Sequence, residues 1–273
     1  MNLRFSMLRT SIVLVIAIGI AVAAGNRAAA GGLDDARQRG KLLVGVRSDF
    51  PPFGYVDESG IQQGLDVEMA GYLAQKLFDA DGRLELVSVT SGSRIPFLYS
   101  RWIDVIAAAM TITEQRKQVL EFSEPYFLSE SLLLVAGDIA VSGLKDLEGK
   151  KVGVLKGAIQ EKDLEQIAPR SIRTGFATLG EAVEALKAKS VDVVCTDDMT
   201  ALFLARKNPG LKAAGPPFNP HPYALAVRKG DTEFLNWINR QLARMKEDGT
   251  YEKLRQKYLA EMESSLKTLR GNP

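Results

Sequence analysis

The sequence lacks the residues from which many functional sites are built. It contains one cysteine, Cys195, and one histidine, His221, in 273 residues. A single thiol excludes an intrachain disulfide and a thiolate-rich zinc or iron–sulfur site, and a lone imidazole argues against a histidine metal site. With 46% hydrophobic and 25% charged residues, the chain is neither disordered, collagen-like nor a coiled coil. We therefore expect a globular protein without a metal or cofactor.

A long hydrophobic run is also missing. The apolar stretch Ile12–Ala24 has 13 residues, whereas a membrane-spanning helix needs about 20. Arg4 and Arg9 precede the stretch, and small residues follow it, an order that is typical of a secretory signal peptide. We assign this signal peptide to residues 1–30 and expect no stable membrane insertion after its cleavage. No cysteine follows the stretch, which excludes a lipid-anchored lipoprotein.

Charge of one sign is not in excess. Residues 1–30 contain three arginines and no acid, so the remaining chain has 32 basic and 33 acidic residues, a net charge of −1. Because a nucleic-acid-binding protein usually carries a basic surface, we expect no nucleic-acid partner.

Short β-branched runs alternate with helical patterns, which predicts βαβ units in a mainly parallel sheet. The predicted buried strands are Leu42–Val46, Ile103–Ala108, Val152–Leu155 and Val191–Cys195. The predicted helices are Asp66–Phe78, Glu181–Ala188, Asp198–Lys207 and Thr232–Lys246.

The two halves of the chain resemble each other. Residues 98–106 match residues 186–194 in register, and residues 40–46 resemble residues 149–154 with one gap. Two pairs in the same order predict two lobes of related topology. Ligands of open α/β sheets bind beyond the carboxyl ends of the strands, where this sequence has cations, hydroxyls and carboxylates. Such a mixture suits a small zwitterion in a cleft between the lobes.

Six motifs occur in order within residues 33–260: Pro51–Phe53, Gly64–Leu77, Met110–Arg116, Phe122–Tyr126, Val152–Gly157 and Asp248–Tyr251. Together they resemble the bacterial extracellular solute-binding proteins, family 3, which are the polar-amino-acid receptors of ABC importers.

The resemblance implies an α/β, two-lobed periplasmic binding protein fold (type II), whose cleft closes about two hinge crossings. Each lobe would be a mainly parallel sheet flanked by helices. Lobe 1 would comprise residues 31–127 and 224–273, and lobe 2 residues 128–223, with crossings near Phe127–Ser131 and His221–Ala226. The resemblance also implies a periplasmic monomer whose partners are an amino acid and an ABC permease in the inner membrane.

The resemblance assigns roles to single positions. Arg116 matches the arginine that clamps the ligand α-carboxylate, and a guanidinium can pair with a carboxylate through two hydrogen bonds. Thr111 matches a donor to the same carboxylate. Asp197 matches the acid that receives the α-ammonium, and Asp198 would cap the following helix.

Three further positions match ligand contacts of the family. Gly157 matches a glycine at a helix start, where main-chain N–H groups bind carboxylates. Phe50 matches an aromatic residue that stacks over the ligand side chain, and Tyr223 resembles a tyrosine that contacts it.

Two arginines predict the side chain of the ligand. Arg47 stands where receptors for basic amino acids and for glutamine carry aspartate. Arg94 resembles an arginine of aspartate- and glutamate-binding members, and Ser91 in the same segment is a further binding candidate. Two cations in one pocket are costly unless an anion pairs with them, and glutamate or aspartate would supply that anion. Alternatively, Arg47 pairs with Asp49 or Glu68, and Arg94 is an exposed helix residue.

Two other functions stay open. A receptor for glutamine or a neutral amino acid would keep the fold and change the pocket. An exported cyclohexadienyl dehydratase, acting on prephenate or arogenate, would share the fold and also need several arginines. The chain has no Ser/His/Asp or Cys/His constellation, so we expect a binding protein and not an enzyme.

Overall fold

The computed structural model describes residues 31–78 and 83–270. The segment assigned as a signal peptide lies outside the described residues. Among the residues described, no helix is both long and apolar enough to cross a membrane.

The helices and strands follow one another along the chain in a mixed order. They are α1 (Gly32–Arg39), β1 (Leu42–Val46), β2 (Asp49–Phe50), β3 (Gly54–Val56), β4 (Gln62–Gln63), α2 (Leu65–Phe78), β5 (Leu84–Ser88), α3 (Arg94–Tyr99), β6 (Val105–Ile106), α4 (Glu114–Lys117), β7 (Leu120–Phe122), β8 (Phe127–Ala136), β9 (Lys151–Leu155), α5 (Ile159–Ile167), β10 (Ile172–Phe176), α6 (Leu179–Lys187), β11 (Val193–Asp197), α7 (Asp198–Lys207), β12 (Leu211–Tyr223), β13 (Ala226–Arg228), α8 (Thr232–Glu247) and α9 (Thr250–Leu269).

Two five-stranded sheets share one topology. The first has the order β5-β1-β6-β13-β7 and the second the order β10-β9-β11-β8-β12. In each sheet one strand runs against the other four, β13 in the first and β8 in the second. Each reversed strand is the one that the chain enters directly from the other sheet. The prediction of a two-lobed α/β fold with mainly parallel sheets is confirmed.

The chain passes between the sheets twice, through residues 123–126 and 224–225. These links run side by side, because the Tyr126 N–H donates to the Tyr223 carbonyl at 2.9 Å and the Ser123 N–H to the Leu225 carbonyl at 2.9 Å. The predicted first crossing, Phe127–Ser131, begins too late, since those residues already form β8.

The internal repeat has a structural counterpart. Asp104 accepts a hydrogen bond from the Leu43 N–H at 2.9 Å, and Asp192, 88 residues later, accepts one from the Lys151 N–H at 2.8 Å. Each bond ties the turn before a central strand, β6 or β11, to the neighbouring parallel strand of its own sheet, β1 or β9. The turns themselves also match, because Arg101 and Lys189 occupy their corresponding positions with φ of 61° and 58°.

The core covers both faces of the second sheet. Along β8, Leu132 and Leu134 belong to one apolar cluster, and Leu133 and Val135 belong to another on the opposite face. A strand that is buried on both faces consists of consecutive apolar residues, as β8 does from Leu132 to Val135. The last helix, α9, packs against α2 and α8 beside the first sheet and against α7 beside the second.

Candidate functional site

A small, partly enclosed cavity lies at the carboxyl ends of β1 and β6 in the first sheet and of β9 and β11 in the second. Six of the nine predicted site residues line it: Arg47, Phe50, Ser91, Arg94, Thr111 and Asp197. The polar members are almost wholly buried, with exposed fractions between 1% for Arg47 and 8% for Ser91. The structure therefore shows the cleft closed over its charged groups.

Arg47 follows β1 and is held by protein groups on every side. Its Nε and NH2 donate to Asp49 Oδ1 at 2.9 and 2.7 Å, and its NH1 donates to Ser91 Oγ at 2.7 Å. The guanidinium carbon lies 4.7 Å from the centre of the Phe50 ring. Because Asp49 supplies the anion that Arg47 needs, Arg47 is not an uncompensated cation as the sequence predicted, and Arg94 remains as the candidate.

Arg94 is the first residue of α3 and is 3% exposed, so it is not an exposed helix residue. Its NH1 donates to the carbonyls of Ala108 and Ala109 at 2.5 and 3.1 Å, while its Nε has no hydrogen-bond partner. Among the described residues, no carboxylate forms an ion pair with it. Burial, followed by the charges of Arg116 and Arg47, lowers the pKa of Arg94 well below its usual value. These observations describe a buried cation without a matching anion.

Asp66 supports the main chain that holds Arg94. Its carboxylate accepts hydrogen bonds from the Ala109 N–H at 2.8 Å and from the Tyr126 hydroxyl at 2.7 Å. Ala109 has a φ of 45°, a left-handed conformation that is unusual for alanine and that this bond stabilises. Burial raises the pKa of Asp66 to about 6, although both hydrogen bonds oppose the shift. Asp66 lies in the first turn of α2, and both of its carboxylate oxygens are used by groups outside that helix.

Arg116 lies beside the cavity and reaches across the cleft. From α4, its NH1 donates to the Thr111 carbonyl at 2.8 Å and its NH2 to the Gly157 carbonyl at 3.0 Å. Thr111 belongs to the first-sheet side and Gly157 follows β9 of the second sheet. Burial lowers the pKa of Arg116, and the charge of Asp197 partly offsets this effect.

Gly157 is also a point of close approach between the two sides. Its φ is 78°, and a Cβ on it would lie 3.0 Å from the Cα of Gly92. Its carbonyl is used by Arg116, so the structure places this residue at the edge of the cavity and not in its lining.

Asp197 ends β11 and is the carboxylate of the second-sheet side that faces the cavity. Its Oδ1 accepts a hydrogen bond from Gln160 Nε2 at 2.8 Å, and burial raises its pKa. Asp197 occupies the capping position of α7 without making a side-chain cap bond. Tyr223, which does not line the cavity, is fully buried, and burial together with the charge of Asp197 raises its pKa well above the usual value.

Asp198 does not cap α7, contrary to the prediction. It is the first helical residue, and its Oδ1 accepts from the Ser129 hydroxyl at 2.7 Å and from the Met199 N–H at 2.8 Å. Burial raises its pKa to about 7.

Several residues of the site were not predicted as site residues, among them Gln160 and Asp49. Gln160 lines the cavity and is 3% exposed, and Asp49 holds Arg47. A polar residue at the start of a helix that follows a buried strand was the signal available for Gln160. Asp49 was considered as a partner of Arg47 and not as part of the site.

A sequence model of the bacterial extracellular solute-binding proteins, family 3, matches residues 42–261. The chain belongs to this family.

The names of individual relatives refer to different ligands. The chain is 34% identical to the ABC transporter glutamine-binding protein GlnH of Bacillus subtilis over 223 residues, which cover 81% of this chain and 82% of that protein. The crystal structure of a cysteine-binding protein from Campylobacter jejuni matches with a TM-score of 0.81 and 29% identity, covering 85% of this chain and 94% of that one.

An ancestral amino acid-binding protein, AncCDT-1, described as a precursor of cyclohexadienyl dehydratase, matches with a TM-score of 0.77 and 33% identity. The match covers 83% of this chain and 99% of the ancestral one. The two solved structures cover 83% and 85% of this chain, and this solute-binding protein shares their two-lobed fold.

Proposed function

We propose that this solute-binding protein is the receptor of an ABC importer for an α-amino acid with an anionic side chain, glutamate or aspartate. The observation that supports this proposal most directly is Arg94, a buried guanidinium that lines the cavity and has no carboxylate partner among the described residues. A buried cation is costly when unpaired, and a bound anion removes that cost.

The charges of the cleft support this choice when they are paired one by one. Arg116 and Thr111 would take the α-carboxylate, and Asp197 would take the α-ammonium. Arg47 is compensated by Asp49. Asp66 is close enough for Arg94 to lower its pKa, but its two oxygens accept from the Ala109 N–H and the Tyr126 hydroxyl and not from Arg94. Arg94 is thus available to a third ligand charge, which a side-chain carboxylate would supply.

Glutamine is the second candidate. Because Asp49 neutralises Arg47, only one cation faces the ligand side chain, and a carboxamide oxygen can accept from a guanidinium. The relative GlnH is named for glutamine, which agrees with this alternative. The two candidates differ in the charge of one group.

Calorimetry with a matched pair of variants separates them. The chain from residue 31 onward is unfolded and refolded to remove carried-over ligand, then titrated with glutamate, aspartate, glutamine and arginine. We expect a Kd of about 1 μM or tighter for glutamate or aspartate. Arg94→Gln should weaken acidic ligands by about 10- to 100-fold, because a hydrogen bond to a charged group contributes roughly 1.5–3 kcal/mol. Binding of glutamine should change much less.

Arg240→Gln is the control, because Arg240 is an exposed arginine on α8. A preference of the wild-type protein for glutamine would select the second candidate. If Arg94→Gln loses as much affinity for glutamine as for glutamate, Arg94 is a structural residue.

Binding without catalysis is part of the proposal. The resemblance to AncCDT-1 makes prephenate the compound to test, and we expect no phenylpyruvate when the protein is incubated with it. Phenylpyruvate formation that Asp197→Asn abolishes would instead assign a dehydratase.

We also propose that residues 31–127 with 224–273 and residues 128–223 move as two lobes about the links at residues 123–126 and 224–225. The protein would be a monomer, exported to the periplasm by residues 1–30, and its closed form would dock on the permease. N-terminal sequencing of the exported protein tests whether residues 1–30 are removed. Light scattering of the purified chain tests whether it is a monomer.

A further inference from the structure

We propose that Asp49 couples the ligand pocket to closure of the cleft, so that it is a positioning residue for Arg47 and a latch between the lobes. The inference rests on the proposed function in one respect, that a ligand closes the cleft. Asp49 begins β2, in the small sheet formed by β2, β3 and β4. No sequence motif marks it.

The two oxygens of Asp49 face different parts of the molecule. Oδ1 accepts from Arg47 Nε and NH2 at 2.9 and 2.7 Å. Oδ2 accepts from the main-chain N–H of Leu179 at 2.8 Å, 130 residues away in sequence. Leu179 begins α6, which packs on β9, β10 and β11 of the second sheet. One carboxylate therefore joins the pocket arginine of the first side to a helix of the second.

The N-terminus of α6 is suited to receive this carboxylate. The first N–H groups of a helix have no partner within the helix, and the helix dipole favours a negative charge there. The Thr178 hydroxyl caps the Glu181 N–H, and the Glu181 carboxylate returns to the Thr178 N–H, so neither satisfies Leu179. Asp49 supplies the missing acceptor from across the cleft.

The same carboxylate orients Arg47. The Nε–NH2 edge of the guanidinium is held by Asp49, and only NH1 is held elsewhere, by Ser91. Opening the cleft would break the bond to Leu179, free the carboxylate to move and release Arg47 from its pose. A group whose contacts differ between open and closed states links ligand affinity to the closure equilibrium.

A second contact across the cleft provides a matched control. Lys162 on α5 donates to the side-chain oxygen of Gln115 on α4, and both residues are exposed. This bond joins the two sides without contacting the pocket. Gln115→Ala thus removes a cross-cleft bond and leaves Arg47 unchanged.

The experiment measures closure directly. Glu58→Cys and Glu184→Cys, both at exposed positions, carry spin labels on the two sides, and Cys195 is 1% exposed and stays unlabelled. Distances between the labels are recorded without ligand and with saturating glutamate, in wild type, Asp49→Asn, Asp49→Glu and Gln115→Ala. Stopped-flow fluorescence gives the rate at which glutamate dissociates.

We expect Asp49→Asn to shift the distances toward the open form and to raise the glutamate dissociation rate about 10- to 100-fold, with a smaller change in the association rate. Gln115→Ala should change the dissociation rate less than about 3-fold, because exposed pairs contribute little. Asp49→Glu, which keeps the charge, should recover part of the closed population.

Any of three results would overturn the latch. Asp49→Asn closes like wild type, or Gln115→Ala changes the label distances and the dissociation rate as much as Asp49→Asn does. The third is that the wild-type labels show no closed form in either sample. These outcomes differ from a failure of the proposed function, which calorimetry reports as the absence of binding heat for all four amino acids.

Discussion

The charge that a buried side chain of this protein can offer to a ligand depends on the groups around it more than on its residue type. Arg47 and Arg94 are both buried guanidiniums in one cavity, yet Asp49 neutralises the first while two main-chain carbonyls hold the second. The difference decides which arginine remains for a ligand. Asp197 and Asp198 are neighbours in sequence and face different partners, Gln160 and Ser129.

The pH dependence of stability should report Asp198. Its pKa in the folded state is about 7, against 3.8 for an ordinary aspartate, because it is buried. A carboxyl whose pKa is raised by folding contributes stability that is complete below about pH 4 and is lost as the pH rises through about 7. Asp198→Asn removes this dependence and can keep both hydrogen bonds through its amide oxygen.

Urea unfolding of both proteins between pH 4 and 8.5 measures the effect. The unfolding free energy of Asp198→Asn relative to wild type should rise with pH, by at most on the order of 4 kcal/mol, since one pKa unit corresponds to about 1.4 kcal/mol. Parallel curves for the two proteins would show that Asp198 does not titrate in this range.

At the scale of elements, the repeated units show which local features carry the fold. The turns before β6 and β11 use an aspartate bond to the neighbouring strand, β1 or β9, and a residue in left-handed conformation, in both sheets. The turns after β1 and β9 differ, because one leads to Arg47 and the other to Gly157. The two repeated units thus share the turns that support the sheets and differ in the turns that form the cleft.

The turn between β9 and α5 should limit how far the cleft closes. Gly157→Ala puts a Cβ 3.0 Å from a main-chain atom of Gly92, which cannot move aside as a side chain could. Gly149→Ala is the matched control, because its φ is 70° and nothing lies within 4 Å of its Cβ position. Left-handed alanine costs about 1–2 kcal/mol, so both variants should lose similar stability.

Only Gly157→Ala should also lose ligand affinity, by more than about 10-fold, corresponding to about 1.4 kcal/mol. Thermal unfolding and calorimetry on both variants give the two quantities. Equal affinities in Gly157→Ala and Gly149→Ala would mean that the approach of Gly92 and Gly157 does not limit closure.

For the whole molecule, the two links between the sheets determine what motion is available. The links are hydrogen-bonded to each other, and Asp66 joins the Tyr126 hydroxyl of one link to the Ala109 N–H beside the cavity. A paired two-segment link allows bending and resists sliding. The cavity is therefore expected to open by a hinge motion about these segments.

Solution scattering tests this motion. Saturating glutamate should reduce the radius of gyration of the chain from residue 31 onward, because the ligand stabilises the closed form. The measurement compares refolded, ligand-free protein with the same sample after glutamate addition. Arginine serves as the reference ligand, since a basic side chain would meet Arg94. An unchanged radius with bound glutamate would contradict hinge closure.

Much of the fold could be predicted because its elements have local signatures. β1 and α7 have the predicted bounds, since an apolar β-branched run and a helical pattern after two aspartates are readable within ten residues. The predicted strand Ile103–Ala108 is only Val105–Ile106 in the structure, since only these two residues are in ladder register with β1. The internal repeat predicted two lobes of related topology, but the order of the strands within each sheet came only from the structure.

The sequence by itself determined the two-sheet architecture, the family and the set of polar residues that follow the strands, because these depend on periodicity, turn residues and motif order. Only the tertiary structure decided which charges compensate each other. Asp49 meets Leu179 across 130 residues, and Arg94 is buried against Ala108 and Ala109. Such pairings depend on distances between segments far apart in the chain, and electrostatic energy in a buried site depends on those distances.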